Sequence, residues 1–306
     1  MPIQVGQALE PFPEEWVFYV DNSGEFVDAV CCVGVLAVKV KDRSGCAAGL
    51  RTALEEAGFA GNLHFKKLRR TGGDHGRAAR LVLDKFRGGK ETGPIFHLSL
   101  LRASHPRYEQ QRFGSLGLPP HIVQHNYWVA SAIRSVCSYF LGGRGVLLNI
   151  VLDQRAAALN CKPGSRGYPV EDYLKRECTS ELVRVAQVSF LNAEGSVLRL
   201  EDSVLHAESD LLTGALRQVF AERGSKEPIK RDLARVALEL VLDARSGGAL
   251  RRRFSIGGFP DDLGRFASLV RCSDEEFMSW LPPRWTDRAR ISGDLRCGLP
   301  TLSRRV

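Results

Sequence analysis

Apolar residues fall in blocks with two distinct periods. Trp16-Val-Phe-Tyr-Val20 is rich in aromatic and β-branched types, which predicts a buried strand, and it stops at Asp21. Asn22-Ser23-Gly24 turns the chain, and Val27 to Val40 resumes the apolar run, so the pair is expected to be a β-hairpin. Pro94 to Leu101 reads as a third strand, and Val183 to Leu191 as a later one. Between them, Val146 to Asp153 is almost continuously apolar, the pattern of a strand covered on both faces. Helical spacing is expected over Cys46 to Ala57, Arg77 to Phe86, His121 to Leu141, Val170 to Thr179, Val204 to Glu222 and Ile229 to Leu242. Asp202-Ser203 has the residue types of an N-terminal cap for the fifth of these. Gly61 to Leu68 is expected to be extended, and it carries His64.

Strands and helices interleaved in this way predict an α/β protein with a mixed sheet. The composition shifts beyond Glu222: residues 222–306 hold 17 Lys and Arg against 12 Asp and Glu, +5 of the total +8 charge. The expected organisation is therefore a domain over 1–222 and a basic, mainly helical extension over 223–306. A basic surface favours polyanionic partners, nucleic acid among them. The eight Cys include no CxxC pair, which argues against a zinc ribbon and for reduced thiols in a cytoplasmic protein. Met1-Pro-Ile-Gln lacks the basic and apolar regions of a signal peptide. The longest apolar run, Ala29 to Val38, is half the roughly 20 residues that span a bilayer, so no membrane partner is expected. Protein partners are not indicated.

Asp21 and Asp153 each end an apolar strand, and Asp210 lies on the late helix. Adjacent strands run about 4.8 Å apart, so acids at matching strand ends share one site. A buried carboxylate is costly alone, and three together repel unless a cation intervenes. Oxygen donors suit hard dications, magnesium above all, and two such ions can stabilise both the attacking and the leaving oxygen of a phosphodiester. His64 is a candidate for proton transfer or phosphate contact. Lys66, Lys67, Arg69 and Arg70, and further on Arg251, Arg252 and Arg253, are candidate backbone contacts for nucleic acid. His121 and His125 have the four-residue spacing of a zinc pair on a helix, without the HExxH motif, and leave a zinc hydrolase as an alternative. Ser23 is not centred in a GxSxG elbow and is assigned to the turn.

Several of these segments, in this order, resemble motifs of the domain-of-unknown-function 3800 family. They are Phe18-Tyr-Val-Asp-Asn-Ser-Gly24, Leu63-His-Phe-Lys-Lys-Leu68, Val151-Leu-Asp-Gln154, and Asp202-Ser203 followed by Ser209-Asp-Leu-Leu-Thr-Gly-Ala215. The resemblance spans roughly residues 16 to 222. It implies a ribonuclease-H-like sheet flanked by helices and a metal-dependent nuclease, with Asp21, Asp153 and Asp210 as ligands to Mg2+ or Mn2+. Asn22, Asn62 and Gln154 stand where the family often has acids, and the loss of charge there opens a second expectation. On that expectation the chain is a weakened or inactive nucleic-acid-binding or regulatory protein on the same fold.

Overall fold

The computed structural model describes residues 14–24, 30–61, 63–69, 73–102, 120–142, 145–153, 170–191, 200–259 and 267–286. Among these residues are seven strands: β1 (Glu14–Ser23), β2 (Val30–Lys39), β3 (Ile95–Arg102), β4 (Val146–Asp153), β5 (Val183–Leu191), β6 (Phe254–Phe259) and β7 (Ala267–Ser268). They form one sheet in the order β5-β4-β1-β2-β3-β6-β7. The β1–β2 pair is antiparallel, as the hairpin reading expects, and β2–β3 is antiparallel too, whereas β4 runs parallel to β1 and β5 parallel to β4. The α/β class with a mixed, helix-flanked sheet is thus the observed architecture.

Among the described residues the helices are α1 (Arg43–Glu56), α2 (Asp74–Gly88), α3 (Pro120–Phe140), α4 (Val170–Cys178), α5 (Leu200–Phe220), α6 (Pro228–Arg245) and α7 (Asp274–Trp280). Side chains alternate across a strand, and β1 shows what each face meets. Val17 and Tyr19 enter a core shared with α1, α2, α5 and α6. Trp16, Phe18 and Val20 enter a second core, built with α3 and α4. Asp21 continues the parity of Tyr19 and so belongs to the α5 face.

The sheet and the first core both run past residue 222. β6 lies parallel to β3, from Phe96 opposite Phe254 to Leu101 opposite Phe259. Ile229, Leu233, Ala237, Leu240 and Val241 of α6 are buried in the core that holds α5. The basic C-terminal segment, expected as a helical appendage, therefore contributes a strand to the sheet and a helix to the core. Asp202 also differs from expectation. The fifth helix begins at Leu200, which places Asp202 inside its first turn. There its carboxylate accepts the Tyr19 hydroxyl at 2.7 Å and pairs with Arg43, so tertiary partners claim it in place of a capping role.

Candidate functional site

Parallel pairing brings two of the three acids to one place. Tyr19 sits opposite Val151 and Val20 opposite Leu152, so Asp21 and Asp153 follow at the same end of neighbouring strands. Val151 shares its core with Tyr19, which puts both acids on the face covered by α5. The helix is tied to that end by two side chains. Ser209 Oγ donates to the Tyr19 carbonyl at 3.0 Å, and His206 Nε2 lies 3.2 Å from the Val20 carbonyl oxygen. Asp210 follows directly on α5. Its Oδ2 accepts the Phe65 N–H at 3.0 Å and lies 3.5 Å from His64 Nδ1. One turn on, a Cβ at Gly214 would come within 2.4 Å of the Phe65 ring, so glycine there lets the His64 segment rest on α5.

Asp21 is only 5% exposed, and its Oδ2 has no hydrogen-bond partner among the described residues. Burial pushes its carboxyl well above the usual range, and the charges of Asp210 and then Asp153 push it further. Lys66 is the nearby cation that opposes this. His206 is also buried, which lowers its pKa, while Asp153 and Asp210 act in the opposite direction. Asp21, Asp153, Asp210, His206, His64 and Lys66 thus form one electrostatic unit.

The donor set fits a small dication by chemistry: three carboxylates on one face, one of them with a buried, unpartnered oxygen. Among the described residues no three Asp, Glu, His or Cys side chains stand close enough together to hold a metal ion as they are. Mutual repulsion of carboxylates is the physical reason to expect them apart until a cation joins them.

The basic residues divide into two groups. Lys66, Lys67 and Arg69 are exposed on and just after a short 3-10 turn, Phe65–Lys67, beside the acids. Arg70 lies outside the described residues. Lys230 of α6 sits over the Phe65 ring, 5.6 Å from its centroid, and pairs with Glu227 at 3.7 Å. The second cluster lies at the C-terminal end of α2. Arg251 and Arg252 are exposed, and Arg252 pairs with Glu91 at 2.7 Å. Arg253, expected as a phosphate contact, is instead 1% exposed. It donates to the carbonyls of Phe86, Arg87, Gly89 and Pro94. The last carbonyls of a helix lack intrahelical donors, and Arg253 supplies them for α2.

Asn22 points away from the acids. One position beyond Asp21, it belongs to the α3 face, where its Nδ2 lies within hydrogen-bond distance of His125 Nε2. The absent charge at this position is therefore not subtracted from the Asp21 cluster. His125 Nδ1 is 3.3 Å from Asn126 Oδ1, and burial lowers the pKa of its ring. The side chain of His121, and residues Asn62 and Gln154, lie outside the described residues. His206 is the site residue that sequence reading misses. The available signal is its spacing: His206 and Asp210 are four apart and so share one face of a helix.

Comparison with protein-family models, with curated proteins and with solved structures returns no match. Among the described residues no helix is long and apolar enough to cross a membrane.

Proposed function

We propose that this chain is a metal-dependent nuclease with a ribonuclease-H-like core, a reading in line with its resemblance to the domain-of-unknown-function 3800 family. The observation that carries the proposal is the pairing of Asp21 and Asp153 at matching ends of parallel β1 and β4, beneath the helix that bears Asp210. The arrangement of three antiparallel strands followed by two parallel to the first supports the fold assignment. Carboxyl ends of parallel strands are also where open α/β sheets hold ligands.

Asp21, Asp153 and Asp210 are the residues that would hold Mg2+ or Mn2+. An ion held there would supply Lewis-acid activation of a phosphodiester. Lys66, Lys67 and Arg69 hold the nucleic-acid backbone against the mouth of the site, and Lys66 also offsets the negative charge on Asp21. His64, half-buried beside Asp210, is placed to move a proton at the edge of the cluster.

A second reading, nucleic-acid binding without cleavage, is favoured by Asp210, whose Oδ2 is already held by the Phe65 amide. A cleavage screen separates the two. Single- and double-stranded DNA and RNA are incubated with the full chain and Mg2+ or Mn2+, with a chelator control. Cleavage that the chelator abolishes supports the nuclease; retention of nucleic acid without cleavage under every condition supports the second reading.

A further inference from the structure

His206 is a buried, polar residue at the point where α5 meets the end of β1, beside the site and outside the set of acids. Its Nε2 faces the Val20 carbonyl, which can only accept a hydrogen bond. The Nε2 atom therefore carries the ring proton, and Nδ1 keeps its lone pair. The tautomer follows from that partner. Val20 immediately precedes Asp21, and Asp210 lies one helical turn beyond His206, so the ring sits where α5 meets the acid-bearing end of β1. The charged groups that act on it are Asp153, Asp210 and His64, all members of the same unit. Donation of one ring N–H to a backbone carbonyl is how ligating histidines are usually oriented. The Oδ2 of Asp21, buried and without a hydrogen-bond partner among the described residues, is a separate sign that this cluster of charge is built to receive a cation.

We propose that His206 adds an imidazole nitrogen to the carboxylate cluster, so that the site selects manganese(II) over magnesium. The inference rests on the metal site of the preceding section and goes beyond it in assigning a nitrogen ligand and a preference. Oxygen-only sets suit magnesium, whereas imidazole favours transition-metal dications.

The test uses the full chain and manganese(II) chloride. Pulsed electron paramagnetic resonance reads nitrogen-14 coupling to the bound ion, and competition calorimetry reads the manganese-to-magnesium affinity ratio. The wild type should show the coupling. His206→Gln keeps a donor for the Val20 carbonyl but has no imidazole. It should lose the coupling and bind manganese about tenfold more weakly or worse, with a smaller change for magnesium. His64→Gln should retain the coupling, and this variant decides the matter alone if His206→Gln does not fold. Coupling lost in His64→Gln would assign the nitrogen to His64 and overturn the inference. Manganese bound to the wild type without nitrogen coupling would also overturn it, reducing His206 to a structural tie and leaving the carboxylate site standing. Failure of the wild type to bind either ion would overturn both.

Discussion

Gly34 of β2 lies opposite Asp21 of β1, and a Cβ added to it would stand 1.9 Å from the hydroxyl oxygen of Thr213 on α5. The missing side chain is what lets the helix carrying Asp210 press onto the strands carrying the other acids. Gly34→Ala should force α5 outward. Overpacking of this kind costs roughly 1–3 kcal/mol, readable by urea unfolding. Divalent-ion affinity should fall in the same variant, because Asp210 moves with the helix. Unchanged affinity in a destabilised variant would show that the helix position does not set the site.

Glu208 is expected to make stability fall as pH rises. It is buried on α5, with an Oε2 that has no hydrogen-bond partner among the described residues. Burial raises its pKa to about 8 from an ordinary value of 4.5, although Arg253 and Lys85 pull it down. The sign follows from linkage. Below the ordinary value both native and unfolded chains hold the proton, and the contribution is fully present. Between there and about 8 the unfolded chain ionises first and stability is lost. Glu208→Gln should flatten this part of the profile and gain roughly 1–3 kcal/mol at the alkaline end. Parallel profiles for variant and wild type in urea unfolding from acid to mildly alkaline pH would contradict this.

The three consecutive arginines should separate cleanly. Arg253→Met leaves the carbonyls of Phe86, Arg87, Gly89 and Pro94 without their shared donor and should cost roughly 2–4 kcal/mol of stability. Arg251→Ala and Arg252→Ala, at exposed positions, should stay within about 0.5 kcal/mol of the wild type. Thermal unfolding of the three variants checks both statements.

Nucleic-acid affinity should depend on Lys66, Lys67 and Arg69. Each phosphate contact removed by an alanine substitution should reduce the slope of log affinity against log salt by about 0.7 to 0.9. Arg251→Ala should leave that slope unchanged. The reverse pattern in a salt titration would place the binding surface on the 251–252 side of the molecule.

The parts of this arrangement legible in the sequence are those set by local pattern. Trp16 to Asp21 and Val146 to Asp153 announce themselves as apolar runs ended by an acid, and the helical period around Asp210 is unbroken. What was not legible depends on partners distant in the chain. Phe254-Ser-Ile-Gly-Gly-Phe259 is short and glycine-rich, and only its pairing with β3 makes it a strand. Arg253 looks like one member of a surface cluster until the open end of α2 claims it. Asn22 adjoins Asp21 in sequence, yet the pleat sends it to the opposite face, where His125 waits on another helix. His206 resembles an ordinary helical residue until the end of β1 is placed beneath it.

The central claim is that Asp21 and Asp153 form one catalytic metal site, and cleavage by their asparagine variants tests it most directly. The measurement is the initial rate of phosphodiester cleavage with Mn2+ by the wild type, Asp21→Asn and Asp153→Asn, each confirmed as folded by circular dichroism. Each substitution removes a charged oxygen ligand while keeping the side chain's size. The expected result is chelator-sensitive cleavage by the wild type and no measurable cleavage by either variant. Turnover near the wild-type level in either folded variant would contradict the account.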